Sequence, residues 1–390
     1  MRKDLRKKVI SSLVIFLFFF LPSCGWLKRE QITKQMGNGI RQAELELEAR
    51  EFQRAIDIYK KIYREYPQDS TVRSGYIKAL ESIKSSGDRA FERDHFELAG
   101  NIYEILAKNW SGFADFGQSL SFNRDFLEKK VRTSRILFDE KQARLYLEAG
   151  EFQKAIDVHN EIYRKHPHDP PVRSGYIKTL ESIKSSGDRA FERNNFELAG
   201  NIYEILAKNW SDFADFSQSL SFNRDFLEKK IKTSRSLFSE KQAKLYLGAG
   251  EFQKAIDVHN EIYRRYPQDS TVRSHYIKTL ESIKSRADRA FKRSDFAPAG
   301  CIYSILLKNF SSVTALSRSI SFDRRVLTAK VRSCKKILFA SGLEQYRSGN
   351  LNQAISIWKS ILAFDPENQE IKRAVEMATL QSKNLEKAKP

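Results

Sequence analysis

The chain repeats itself at a spacing of one hundred residues. The segment EFQKAIDVHNEIYR occupies 151–164 and, letter for letter, 251–264, and a close variant occupies 51–64. About 79 of 100 positions are identical between 51–150 and 151–250, without a gap. Identity over such a length indicates tandem duplication of one folded unit, and units that stack on their neighbours form solenoids.

Within a copy, small and apolar residues recur with the period of an α-helix. In AKLYLGAGEFQKAIDVHNEIYRRYP they lie three, four or seven positions apart, at Ala243, Leu247, Phe252, Ala255, Ile256, Ile262 and Tyr263. Gly250 interrupts this pattern and Pro267 ends it, so two helices should meet at a glycine turn. We expect the Ala and Ile side chains of the repeated segment to face the preceding helix, and its Asp, His and Asn side chains to face solvent.

This arrangement of small, aromatic, glycine and proline positions resembles the tetratricopeptide repeat (TPR) motif. The best match lies near the C-terminus, at Gly342, Tyr346, Gly349, Leu351, Ala354, Trp358, Ile361 and Pro366. Gly150 and Gly250 occupy the turn position in two further motifs, and each hundred-residue copy hides a second motif. Seven motifs result, with their signature alanines at Ala55, Ala99, Ala155, Ala199, Ala255, Ala299 and Ala354.

The motifs are spaced more widely than ordinary TPR motifs. Their alanines alternate between separations of 44 and 56 residues, with 55 for the last, whereas the usual period is about 34 residues. The resemblance therefore implies an all-α, TPR-like helical-hairpin solenoid with lengthened first helices. For residues 113–148 a single long or kinked helix is the favoured interpretation, and two helices with a break near Ser119–Ser121 are the alternative.

The N-terminus carries a different signal. Five basic residues among the first eight precede the apolar run Val9–Leu21, which is short for a membrane span and typical of a signal peptide. The run ends in LPSC, which resembles the lipobox of bacterial lipoproteins. The resemblance implies cleavage before Cys24 and acylation of that cysteine. With Gly25 after it, it also implies an outer-membrane anchor facing the periplasm. An uncleaved N-terminal anchor is the alternative.

These signals predict the organisation of the whole chain. Its segments are a signal peptide at 1–23, the lipidated cysteine and a tether at 24–40, repeat units at 41–150, 151–250 and 251–340, and a seventh motif with a capping helix at 341–390. Cys301 and Cys334 occur only in the third unit. They could pair in an oxidising compartment, but two inert thiols are expected.

The sequence offers no constellation of catalytic residues. The phosphate-loop motif GxxxxGK[ST] and the nucleophile motif GxSxG are both absent. His166 and His168 come nearest to a metal-binding pair, but the other copies have Tyr and Gln at these places. We therefore expect a protein that is not an enzyme, with no cofactor, metal or small-molecule substrate.

Charge points instead to an acidic partner. The formal net charge is +19, and an exported protein does not normally meet nucleic acid. Recurring cations on the first helices are candidate contacts for acidic side chains or a terminal carboxylate of a partner peptide. They are Lys84, Lys184, Lys284, Arg144 and Lys244.

The predicted function is a membrane-anchored scaffold that binds a protein partner in a cell-envelope assembly. Outer-membrane protein assembly, secretion and pilus piloting are the types of assembly that the resemblance implies. The alternative is a basic surface that binds acidic envelope polymers or lipid headgroups without a defined protein partner.

Overall fold

A computed structural model describes residues 30–387, with side-chain surroundings through residue 385. Within this range the secondary structure is helical, with no strand. The chain divides into two compact units between Thr179 and Leu180. In residues 30–387 no helix is both long enough and apolar enough to cross a bilayer. The predicted signal peptide and Cys24 lie outside the described residues.

The first unit consists of consecutive antiparallel helical hairpins. Its helices are α1 (30–48), α2 (Phe52–Glu65), α3 (Ser70–Glu92), α4 (Phe96–Asn109), α5 (Arg124–Glu148), α6 (Phe152–Lys165) and the start of α7 (Pro170–Glu192). Helices α2, α3, α4 and α5 each pack on the next helix along the chain. The first helices α3 and α5 have 23 and 25 residues and the second helices α2 and α4 have 14, so the prediction of lengthened first helices is confirmed.

The second unit continues the same alternation of long and short helices. It contains the rest of α7 and then α8 (Phe196–Lys208), the single turn α9 (Trp210–Phe213), α10 (Arg224–Ala249), α11 (Phe252–Arg265), α12 (Ser270–Lys292), α13 (Phe296–Asn309), α14 (Arg324–Arg347), α15 (Leu351–Leu362) and α16 (Gln369–Lys387). Helix α16 packs on α15 through Ile371 and Ala378, both buried, and so covers the last hairpin. The fold is therefore all-α, and residues 30–362 form seven TPR-like hairpins.

The signature alanines explain how closely the helices approach. All seven have no exposed surface, and each lies in the first turn of a second helix. A larger side chain there would need space that close-packed interiors do not have.

Each hairpin turn contains one residue in the left-handed conformation. Glycine occupies this position in three of the seven turns, at Gly150, Gly250 and Gly349. The other four turns have a residue with a side chain there, at Arg50, Asp94, Asn194 and Ser294. The backbone closes each turn in the same way, as Glu151 N donates to Tyr146 O at 2.8 Å and His95 N to Ala90 O at 2.9 Å. This six-to-one bond is the Schellman ending of a helix, which favours glycine.

Residues 113–148 do not form one long helix, so that prediction is wrong. Short 3-10 turns occupy residues 110–116, and α5 begins only at Arg124, where Asn123 accepts a hydrogen bond from Phe126 N at 2.8 Å. The carboxylate of Glu81 on α3 accepts bonds from Ser121 N (2.5 Å) and Ser121 Oγ (2.6 Å). These bonds hold a break between helices at Ser121, within the Ser119–Ser121 segment where the alternative interpretation placed it.

The predicted tether is also shorter than expected. Residues 30–40, assigned from sequence to the tether, are helical and belong to α1. Ile40 packs on the core of the first unit, and the backbone of Gly39 lies so close to Ile62 that a Cβ would be 2.8 Å from its terminal carbon. The apolar contact makes this segment part of the first hairpin.

Candidate functional site

The predicted row of lysines lies within a polar cluster that recurs in each copy. Lys84 Nζ is 2.7 Å from Asp88 Oδ2, one turn along α3, and Tyr103 on α4 donates its hydroxyl to Asp88 Oδ1 at 2.6 Å. Lys130 on α5 places its ammonium 4.2 Å from the ring centre of Phe91. One carboxylate thus links α3 to α4, and a cation–π contact adds α5.

The electrostatics of Asp88 fit this structural role. Burial alone would raise the pKa of its carboxyl, but the hydrogen bonds from Lys84 and Tyr103 and the charge of Lys130 outweigh burial and lower it. Burial and the hydrogen bond to Asp88 raise the pKa of Tyr103. At neutral pH Asp88 is therefore an ionised carboxylate and Tyr103 a neutral phenol.

The other two lysines of the row have the same partners. Lys184 is 2.8 Å from Asp188, and Lys284 is 2.9 Å from Asp288. Each side chain is little more than a fifth exposed. The three lysines are held by carboxylates of their own helices, so the row does not present free cations to a partner.

The two remaining predicted cations lie at the surface. Lys244 Nζ is 2.8 Å from Glu240 Oε1, one turn earlier on α10. Arg144 is close to Glu140, whose pKa is raised by burial and lowered less strongly by Arg144. Neither residue joins the clusters at Asp88 or Asp188.

The histidine and asparagine of the repeated segment face inward, so the expectation that they face solvent is wrong. His159 is 2% exposed and stacks on Tyr176, with ring centres 5.2 Å apart. Its Nε2 lies 2.8 Å from Thr179 Oγ1. The buried Asn160 accepts a hydrogen bond from the Tyr176 hydroxyl at 2.5 Å. Burial lowers the pKa of His159 to about 4, so its ring is neutral at pH 7.

The second unit repeats this layer. His259 stacks on Tyr276 at 5.4 Å, its Nε2 is 3.0 Å from Thr279 Oγ1, and Tyr276 donates to Asn260 at 2.6 Å. The signal was present in the sequence: where copy one has Tyr59 and Ala79, both later copies have His and Thr. Paired changes 20 residues apart indicate contact between the two helices.

His275 occupies a place where the other copies have glycine. Its Nδ1 is 3.3 Å from Ser236 Oγ and its Nε2 is 3.4 Å from Glu240 Oε2. Ser236 is buried, at 3% exposure, so its hydroxyl is shielded from a substrate. The cluster ties α10 to α12.

The remaining candidate groups are dispersed. His166 is partly exposed and His168 exposed. In the described range, no group of three or more His, Cys, Asp or Glu side chains could hold a metal ion. Cys301 and Cys334 are free thiols, and burial raises the pKa of Cys334 to about 11. Such a thiol is protonated and unreactive at neutral pH.

Comparison with known proteins agrees with the hairpin architecture. A family model of the tetratricopeptide repeat matches residues 40–69, which cover the end of α1 and all of α2. The chain therefore carries a tetratricopeptide repeat, a fold that generally mediates binding between proteins. A search of curated proteins finds no match.

Similar solved structures include a tetratricopeptide repeat protein from Parabacteroides merdae (12% identity, 89% of this chain and 99% of that one, TM-score 0.13). The TPR domain of P58(IPK) is 11% identical over 90% of this chain and 99% of its own (TM-score 0.17). Yeast Tom70 is 11% identical over 90% and 97% (TM-score 0.15). TM-scores this low support no inference about function.

Proposed function

We propose that this protein is a membrane-anchored scaffold that binds a partner protein in a cell-envelope assembly. The observation that carries the proposal is the tetratricopeptide repeat at 40–69 within a series of like hairpins. The polar clusters at Asp88 and His159 lie between neighbouring helices, which leaves outer helix faces to a partner. Assemblies for outer-membrane protein insertion, secretion or pilus piloting are the expected setting.

Exposed leucines on the first helices support partner binding. Leu45, Leu145 and Leu245 occupy the same place in successive copies and are 51%, 51% and 61% exposed. Their helices α1, α5 and α10 are the long first helices of their hairpins. Apolar side chains that recur at an exposed place suit contact with another protein.

Site-specific photo-crosslinking in the native host tests the scaffold. A photoreactive residue at Leu145 should yield one discrete crosslinked protein, and the same group at Glu161, exposed on the second helix α6, serves as the control. If no crosslinked product forms at Leu145, Leu245 or Leu45, the first-helix face is not the binding surface and the scaffold proposal fails.

The anchor has its own test. The sequence LPSC at 21–24 supports acylation at Cys24, and two acyl chains hold a protein on a bilayer far more firmly than one. Cys24→Ala should move the protein out of the outer-membrane fraction. If the variant still fractionates with the outer membrane, the anchor proposal is wrong.

A second candidate function is binding of acidic envelope polymers or lipid headgroups, which the net charge of +19 favours. Sedimentation with cell-wall sacculi or anionic vesicles should then fall steeply between 50 and 500 mM salt, because salt screens exposed charges. A protein partner that stays bound at high salt would favour the scaffold instead.

A further inference from the structure

A pocket of about 240 Å³ opens in the first unit, and neither Leu45 nor Leu145 is among its described lining residues. It lies between the turn at Arg50, the start of α2, the C-terminal half of α3 and the first half of α4. Phe52 and Ile102, both buried, form an apolar wall of the pocket, and Leu98, which is 45% exposed, also lines it. The pocket is smaller than the roughly 300–1,000 Å³ of small-molecule sites, which suits one anchoring side chain.

The rim of this pocket is cationic. Arg50, Arg89 and Arg93 line it, and no acidic residue is among the described residues that do so. Arg89 donates to Ser85 Oγ at 2.9 Å and Ser86 Oγ at 3.0 Å, so neutral hydroxyls position its guanidinium. Within residues 30–387, none of the three arginines has a carboxylate at ion-pair distance.

This makes the arginines unlike the lysine of the neighbouring cluster. Lys84, on the same helix α3, is neutralised by Asp88 at 2.7 Å. Arg89 and Arg93 lie one turn apart beyond it and keep their charge for an outside group. Guanidinium groups bind carboxylates through two parallel hydrogen bonds and lose less hydration than ammonium groups.

The third copy has a different side chain beside the corresponding phenylalanine. There Arg286 replaces Ser86, and its guanidinium carbon lies 5.7 Å from the ring centre of Phe252, the counterpart of Phe52. Pro298 replaces the exposed Leu98. In the second unit an arginine of the chain itself thus lies over one face of the phenylalanine ring, whereas in the first unit a serine stands at that position.

We propose that the pocket at Phe52 and Arg89 binds a peptide segment of a partner protein in which acidic residues flank a large apolar side chain. The apolar side chain enters the pocket beside Leu98, and the carboxylates pair with the arginines of the rim. Charge complementarity favours an acidic peptide, since three guanidinium groups without carboxylate partners surround one apolar pocket. This inference rests on the proposed scaffold function and gives it a second contact, formed by α2, α3 and α4 rather than by the exposed leucines of α1, α5 and α10.

The third copy also supplies the test variant. Ser86→Arg installs the side chain that covers the phenylalanine in the third copy, a substitution that the fold already accommodates there. Random twelve-residue peptides displayed on phage are selected against the full-length protein in detergent and counter-selected against Ser86→Arg. Peptides retained only by the wild type should carry Asp or Glu on both sides of Leu, Ile, Phe or Trp.

A labelled peptide from that selection is then measured by fluorescence polarisation. Binding should weaken at least 10-fold in Ser86→Arg and in Arg89→Ala, and should be unchanged in Arg289→Ala, the matched arginine of the third copy. Thermal unfolding followed by circular dichroism checks that each variant is folded. The proposal is overturned if no peptide separates wild type from a folded Ser86→Arg protein, or if the selected peptides show no acidic enrichment.

Two further arms distinguish other outcomes. If phosphatidylglycerol vesicles bind the wild type and not Ser86→Arg while no peptide does so, the pocket takes an anionic lipid and the peptide proposal is wrong. If the partner crosslinked at Leu145 is captured by the wild type, and no peptide is selected, the scaffold function stands and the pocket inference fails. If a selected peptide binds the wild type but no partner is crosslinked at Leu145, Leu245 or Leu45, the pocket inference stands and the scaffold proposal fails.

Discussion

Two layers of the first unit have the same geometry and different chemistry. Tyr59 stacks on Tyr76 with ring centres 5.3 Å apart and an interplanar angle of 6°, and His159 stacks on Tyr176 at 5.2 Å and 7°. The Tyr76 hydroxyl is buried without a hydrogen-bond partner. The Tyr176 hydroxyl instead donates to Asn160, which replaces Lys60 of the first copy.

The comparison shows that one packing geometry holds two different sets of polar groups. In the later layer the stacked tyrosine gains an acceptor, and the imidazole gains Thr179, but the Nδ1 atom of His159 is buried without a partner. Each layer therefore leaves one polar atom unpaired, which costs about 1–3 kcal/mol. The unpaired atom is a phenol oxygen in one layer and an imidazole nitrogen in the other, and only imidazole has an ordinary pKa near physiological pH.

The largest expected difference between the layers is their response to acid. The folded pKa of His159 is about 4, below its ordinary 6.5, so the unfolded chain takes up the proton first as pH falls. Stability is therefore complete above pH 6.5 and declines down to about pH 4, by roughly 2 kcal/mol at pH 5 for this histidine. Urea unfolding followed by circular dichroism at pH 8 and pH 5 measures the loss.

A double variant isolates the contribution of His159. His159→Tyr with Thr179→Ala recreates the pairing of Tyr59 and Ala79, and the pKa of Tyr59 is about 12, far from this range. The variant should lose less stability than the wild type between pH 8 and pH 5. An unchanged pH dependence would show that His159 does not titrate as a buried neutral ring.

The next difference concerns the two hydroxyl groups. Tyr176→Phe removes a buried hydrogen bond and should lower the free energy of unfolding by about 1–2 kcal/mol. Tyr76→Phe removes a hydroxyl that has no partner and should be neutral or slightly stabilising. Urea denaturation of both variants at pH 7 measures the pair, and equal losses for the two would contradict the hydrogen-bond assignment.

The smallest difference lies in the turns that precede the stacked helices. Gly150 has φ of 75° and Arg50 has φ of 63°, and a side chain in this region costs about 1–2 kcal/mol. Gly150→Ala should destabilise by about 1 kcal/mol, and Arg50→Gly should stabilise by up to about 1 kcal/mol. Thermal melts of both variants check the signs. If Arg50→Gly destabilises, the arginine side chain contributes contacts that outweigh its strained backbone.

Much of the architecture was predictable because it depends on local pattern. The alanine of each second helix, the glycine of a turn such as Gly150 and the closing proline mark where helices meet, and these positions need only the sequence around them. The short break before Arg124 was harder to predict, because it depends on the Glu81 carboxylate, 40 residues away from Ser121. The same tie recurs between Glu181 and Ser221 and between Glu281 and Ser321.

The candidate binding residues were less predictable than the fold. Lys84 and Arg89 lie on one helix and have similar sequence surroundings, yet one is paired with Asp88 and the other only with serine hydroxyls. Side-chain geometry determines which of the two cations pairs with a carboxylate, and the amino-acid composition does not show this geometry. His159 illustrates the same point, since polar residues at a helix position usually face solvent unless a partner such as Thr179 is present across the interface.

The near-identity of the copies has a consequence for folding. Helices α4 and α8 have the same sequence over residues 96–108 and 196–208, and each packs on the long helix that follows it, α5 or α10. A newly made chain can therefore pair α4 with the surface meant for α8, and two chains can exchange these helices, as repeat proteins are prone to do.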